Sequence, residues 1–191
     1  MGHREDLLQG AKRCLLEKGW SRTTARDIVA ASGANLASIG YHYGSKDALM
    51  REALFSAMGD WGDELAAMLK DEVPGDATSL ERFASSWTRV RALFDRHRGL
   101  WMAQLEAILQ AERDPELRAA FGRAQPEGRE GLVALFHGID DSEVDSDSAK
   151  ILGSFYMTLV SGMVVQMALD DELTPGGEQL AEAMRRLVTG E

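Results

Sequence analysis

One segment, residues 24–46 (TARDIVAASGANLASIGYHYGSK), does most to limit what this chain can fold into. Thr24 followed three residues later by Asp27 fits a capping box that opens a helix. That helix carries Ile28, Val29 and Ala31 and ends at Gly33, where glycine accepts a left-handed backbone. After Gly33-Ala34-Asn35 a second short helix is expected, over about residues 36–41. Two helices joined by so tight a turn make a helix-turn-helix. Ile28 and Ile39 then point inward against a preceding helix, expected over residues 4–18 on the stripe Leu7, Leu8, Ala11, Cys14 and Leu15 and stopped at Gly19. Ala31, Ala34 and Ala37 keep the turn compact, which leaves Leu36, Ser38, Gly40 and Tyr41 free to face a DNA groove.

The rest of the chain also reads as helix, without alternating β-branched runs or hairpin signals. Ser45 caps a long fourth helix, with Asp47 in its first turn, which reaches about Leu69 and breaks at Val73-Pro74-Gly75. Thr78 and Glu81 form another capping box, opening a helix through Trp87, Val90, Leu93 and Phe94 that Gly99 separates from the next, through Trp101, Leu105, Ile108 and Leu109. Asp114-Pro115 is a cap followed by proline at the first helical position, and Gln125-Pro126-Glu127-Gly128 should kink or split the helix it starts. An acidic, Ser-rich loop is expected over residues 140–148, and Thr174-Pro175 should open the last helix.

Residues 151–169 contain no charge, long enough to pass a length test for a membrane span. Polar Ser154, Thr158, Ser161 and Gln166 interrupt the stretch, and Lys150 and Asp170-Asp171-Glu172 flank it without an aromatic belt. A soluble helix this apolar must be buried all round, so the expectation is its own core on one face and a second subunit on the other, with no membrane. Ser154, Thr158 and Gly162 recur every four residues and permit close helix approach; with Met163 and Gln166 they form the expected dimer interface.

The net charge of −10 divides unevenly. Residues 1–46 carry a balance of +3 and the remainder −13. A basic head on an acidic body can bind phosphate, while the body disfavours other orientations on DNA. One cysteine, Cys14, excludes an internal disulfide and fits a reducing cytoplasm, and acids among the first twenty residues argue against a signal peptide. Histidines 3, 97 and 137 lack metal-ligand spacing, and no phosphate loop or nucleophile elbow is present, so no metal, cofactor or enzymatic role is assigned.

Spaced matches over residues 7–55 resemble the DNA-binding domain of the TetR family of transcriptional regulators: Leu7-Leu8, Glu17-Lys18-Gly19-Trp20, Thr23 to Ile28, Gly33-Ala34-Asn35, and Tyr41 to Leu49. Gly40 and Val29 depart from the usual pattern. The resemblance implies an all-α protein of about nine helices, with a three-helix DNA-binding domain at 1–46 and a helical ligand-binding and dimerisation domain at 47–191, linked by the helix at about 46–69. It implies that Thr24 and its neighbouring amides hold a phosphate, that Tyr41, His42 and Lys46 clamp the DNA backbone, and that Leu36, Ala37 and Ser38 read base edges beside Gly40. Arg26 and Arg22 are left between base, phosphate and solvent.

By the same resemblance the C-terminal domain binds a small apolar or amphipathic effector, identity open. Trp87, Trp101, Met102, Leu105, Phe121 and Phe155 are the pocket candidates, with Met157 and Met163 further apolar residues and Arg89, Arg91, Gln104 or Glu106 as polar anchors. The implied function is a cytoplasmic, ligand-responsive repressor that binds a palindromic, double-stranded operator as a homodimer. The alternative is a helical interaction module, or a small-molecule-binding protein that does not read DNA.

Overall fold

Nine helices and no strand account for the described residues, 3–70 and 77–190, of the computed structural model. They are α1 His3–Lys18, α2 Ala25–Ser32, α3 Leu36–Tyr43, α4 Lys46–Leu69, α5 Ser79–Arg96, α6 Arg98–Ala111, α7 Pro115–His137, α8 Ser146–Leu169 and α9 Gly177–Thr189. A π-helical stretch, Ala149–Gly153, lies within α8. The break expected at Val73-Pro74-Gly75 lies outside the described residues.

Local signals placed the starts of α2, α4, α5 and α7. Asp27 Nα–H donates to the Thr24 hydroxyl while Asp27 accepts from the Thr24 amide, and Thr78 and Glu81 reproduce the arrangement at α5. Gly33 closes α2 at φ 71°, and the Ser45 hydroxyl caps α4 by accepting from the Ala48 amide at 3.0 Å. Asp114 accepts from the Glu116 and Leu117 amides, with Pro115 at the first helical position.

Several boundaries differ from the sequence reading: α3 runs on to Tyr43, and α8 begins at Ser146, inside the stretch 140–148 expected as a loop. Gly99 lies inside the first turn of α6, and the break falls at His97. A Cβ on Gly99 would stand 2.3 Å from the Leu16 carbonyl oxygen, so this glycine serves helix packing rather than helix termination. The helix expected to split at Pro126 runs unbroken from Pro115 to His137. Leu117 on one side of the proline and Leu132 and Val133 on the other are buried, and this anchoring opposes the roughly 3 kcal/mol that an internal proline costs. The last helix starts at Gly177, not at Pro175. A Cβ there would lie 1.9 Å from the Ala84 carbonyl oxygen, which fixes where α9 can meet α5.

The helices form two compact units. The first contains residues up to Gly62 together with His97–Phe121. Leu7, Leu15, Ile28, Leu49, Met50 and Leu54 are fully buried in it, and Ile39 nearly so. Two cations of α1 bind carboxylates of α4, Arg4 to Glu52 at 2.7 Å and Lys12 to Asp60, with Lys12 also donating to the Ser56 hydroxyl at 3.2 Å. The Trp61 and Trp101 rings meet edge to face at 4.9 Å, and Arg51 of α4 pairs with Glu116 at 2.6 Å.

The second unit contains Asp63–Arg96 and the residues from Gly122 onward. Its core holds Leu65, Trp87, Val90, Leu93, Phe94, Val133 and Met167. The Trp87 ring stacks on Phe136 with centroids 5.0 Å apart. Arg91 secures the connection between α8 and α9 by donating to the carbonyls of Thr174 (2.8 Å) and Asp171 (3.0 Å).

Candidate nucleic-acid interface

The Thr24 hydroxyl is already engaged at the start of α2: it donates to Asp27 at 2.7 Å and accepts from the Asp27 amide at 3.2 Å. Thr24 therefore shapes the helix start, where the first-turn amides of Ala25 and Arg26 have no intrahelical acceptors. The Lys18 ammonium sits 2.6 Å from the other Asp27 oxygen. That bond, followed by those from Thr24, holds the Asp27 carboxyl far below the ordinary carboxylate range. It also offsets a negative charge that would repel a phosphate at this helix end.

Lys46, the first residue of α4, reaches the same place. Its ammonium lies 3.4 Å from the Thr23 carbonyl oxygen and 3.2 Å from Asp47. Thr23 is buried, its hydroxyl donating to the Gly19 carbonyl at 2.7 Å, so the loop ahead of α2 is a fixed mount for the cation. A cation beside free helix-start amides is what an anionic oxygen binds.

On α3, Asn35 caps the helix by accepting from the Ser38 amide at 3.0 Å. Leu36 is 57% exposed and Tyr41 86%, with Ala37 and Gly40 also exposed. Ser38, expected among the base readers, turns inward and is 9% exposed. It shares the buried side of the helix with Ile39, so it leaves the reading face. His42 is half-buried, its ring edge-on to Tyr41 at 4.8 Å. Tyr43 packs, as its neighbours require: its hydroxyl donates to the Arg4 carbonyl at 2.6 Å and the Arg4 guanidinium lies 5.2 Å from the ring centre. Arg26 is exposed on α2, whereas Arg22 donates to the Lys18 carbonyl at 2.7 Å. The capping role of Asn35 and the Lys18–Asp27 pair escaped the sequence reading. Asn35 before an apolar helix start was a usable signal; a pairing between separate helices left none.

The pocket candidates divide between the units. Trp101, Met102, Leu105 and Phe121 belong to the first, where Phe121 meets Phe55 edge to face at 5.4 Å. Trp87 and Phe155 belong to the second. Trp87 is fully buried, and its indole N–H has no acceptor among the described residues. Phe155 is 40% exposed on the outer side of α8, which removes it from an interior pocket. A solvent-open concavity of about 820 Å³ in the second unit, floored by Ala66, Leu69, Ala134 and Leu135 and rimmed by Asp140 and Asp141, contains none of the six candidates.

α8 is long and apolar enough to cross a membrane by length and composition, and 33% of its most apolar stretch is buried in the chain. Its inner side carries Tyr156, Val160, Met163, Val164 and Met167. Met163, 2% exposed, is thus a core residue rather than an interface one. Ser154 is half-buried, Thr158 and Gln166 are exposed, and Gly162 has no neighbour among the described residues within 4 Å of a Cβ position. Ile151, Phe155, Thr158, Gly162, Val165 and Leu169 follow one another along the outer side at alternating steps of four and three.

These features define a helix-turn-helix DNA-binding regulator. A family profile described as "Bacterial regulatory proteins, tetR family" matches residues 7–53, and one described as "Tetracyclin repressor-like, C-terminal domain" matches residues 78–190. The chain belongs to the TetR family and is a transcription factor rather than an enzyme. The HTH-type transcriptional repressor AcnR of Corynebacterium glutamicum is 29% identical over 168 residues, covering 86% of this chain and 81% of that protein. The HTH-type transcriptional repressor KstR2 of Mycobacterium tuberculosis is 33% identical over 105 residues, covering 55% and 44% respectively. The multidrug binding protein EbrR, complexed with proflavin, is similar at a TM-score of 0.64 and 25% identity, covering 97% of this chain and 99% of that one.

Proposed function

We propose that the protein is a cytoplasmic, ligand-responsive repressor that binds a roughly palindromic operator as a homodimer. Residues 1–46 act as the reading head and residues 47–191 as the sensing and dimerising body. The juxtaposition of the exposed α3 face (Leu36, Ala37, Gly40, Tyr41) with Lys46 and the free amides of α2 carries this reading. Lys46, Tyr41, His42 and the α2 start hold phosphates, and α3 lies in the major groove. Repression is favoured because AcnR and KstR2 are both named repressors.

The outer side of α8 supports a dimer of this chain rather than a membrane span. Ile151 (62%), Val165 (49%) and Leu169 (81%) leave apolar surface exposed at a spacing that fits a partner helix, around the small residues Thr158 and Gly162. An effector is supported by the likeness to EbrR, whose structure holds proflavin, and by the unpaired Trp87 indole N–H, which an acceptor-bearing apolar ligand would satisfy. Such a ligand shifts the population between helix packings and so changes the spacing of two recognition helices.

A gel-shift titration at fixed salt tests the head. Tyr41→Ala and Lys46→Ala should weaken operator binding while light scattering still reports the dimer. Unchanged binding in both would remove these residues from the interface.

A further inference from the structure

Reading bases in the major groove by hydrogen bonds needs side chains such as Arg, Lys, Asn, Gln or Ser aimed at base edges. α3 is nearly devoid of them. Along LASIGYHY, Ser38 faces inward at 9% exposure and Ile39 is in the core. The Tyr43 hydroxyl is spent on the Arg4 carbonyl, and the Asn35 side-chain oxygen on the Ser38 amide. What faces outward along the middle of the helix is Leu36, Ala37 and the bare backbone of Gly40, with hydrogen-bonding groups only at the two ends, the Asn35 side-chain amide and the Tyr41 hydroxyl.

Gly40 sharpens this picture. It does not take a positive φ, and among the described residues no atom lies within 4 Å of where its Cβ would stand. The chain's own packing therefore does not require glycine there, although glycine weakens a short helix. Its consequence is an α3 whose backbone can come closer to the groove floor. The one base feature in the major groove that aliphatic groups recognise favourably is the thymine C5-methyl.

Resting on the regulator reading above, we infer that the operator half-site is read chiefly through thymine methyl groups packed against Leu36 and Ala37 over the bare Gly40. Sequence choice then follows apolar contact more than base-edge hydrogen bonding, and the phosphate contacts of Lys46 and the α2 amides set register alone.

The test uses the full-length protein and duplexes it selects from a randomised library. Each thymine of the selected half-site is replaced by deoxyuridine, which keeps base pairing and removes only the methyl. We expect one or two positions per half-site to lose about three- to fivefold in affinity, the size expected for one methyl group withdrawn from contact. Leu36→Ala should bind the thymine and uracil duplexes equally at its own position. Leu36 is 57% exposed, so this variant keeps its fold, which a thermal melt verifies. Selected duplexes that bind tightly but respond to no uracil replacement would overturn the inference, all the more if Arg26→Ala then abolished the sequence preference and moved readout to α2. Failure to select any sequence over random DNA would instead overturn the regulator reading itself.

Discussion

The Glu106 carboxylate of α6 accepts the backbone amide of Ser21 at 2.8 Å, so the loop that delivers the chain into α2 is held by a helix far along the sequence. Gly19 sits at φ 84°, a backbone conformation that favours glycine, and a Cβ there would stand 2.7 Å from a Glu106 carboxylate oxygen, which would have to shift. With Thr23 bonded to Gly19 and Lys46 bonded to Thr23, the loop is gripped from α6 and α4 together.

Glu106→Ala should therefore lower stability by about 1 kcal/mol, the net worth of one hydrogen bond. Glu106→Gln keeps an acceptor and should lie near wild type. Urea unfolding gives both values. A Glu106→Ala variant as stable as wild type would mean that the loop holds its shape without α6.

Two glycines should respond to alanine in opposite directions. Gly99→Ala drives a methyl into the Leu16 carbonyl of a neighbouring helix, and overpacking of this kind costs about 1–3 kcal/mol. Gly40→Ala meets open space and should add about 0.5–1 kcal/mol through helix propensity. On the operator the ranking should reverse under the proposed reading, in which a methyl at residue 40 would hold α3 away from the groove. Thermal melts and binding titrations on the same samples separate the two effects.

Much of this was written locally. Thr24 with Asp27, Gly33, Ser45, Thr78 with Glu81, and Asp114-Pro115 announce helix ends through neighbours within four residues, so they could be read before any fold was known. Residues whose role depends on a distant partner could not. Gly99 looked like a helix break, since nothing in its surroundings along the chain announces the Leu16 carbonyl. Ser38 looked like a base reader because Ile39 fixes which residue is most buried, but not which flank of the helix faces the rest of the head. Met163 and Phe155 were exchanged for the same reason: α8 is apolar on every side, so periodicity carries no phase. Only the packing of α8 in its own unit decides that Met163 faces in and Phe155 out.

That division predicts different fates for two α8 variants. Val165→Glu places a charge on the exposed stripe, where it should split the proposed dimer into folded monomers and weaken operator binding. Met163→Glu buries an unpaired carboxylate in the core and should unfold the second unit. Light scattering with circular dichroism distinguishes the outcomes. A Val165→Glu protein that stays dimeric would place the interface elsewhere.

Acid should loosen the head through Asp27. Lys18 first and Thr24 second depress its carboxyl pKa in the folded chain, relative to about 3.9 in an unfolded one. With the folded value below the unfolded one, the Asp27 contribution is fully present above the unfolded pKa. It is lost progressively as pH falls below that value and through the folded pKa. Wild type should therefore lose urea resistance as pH drops from about 5 to 3, near the ordinary carboxylate range. Asp27→Asn cannot bind Lys18 as an ion pair, so it should start weaker at pH 7, decline less, and converge on wild type in acid. Parallel declines for the two proteins would show that other carboxylates govern the acid limb, and that the Lys18–Asp27–Thr24 cluster contributes little to holding the start of α2.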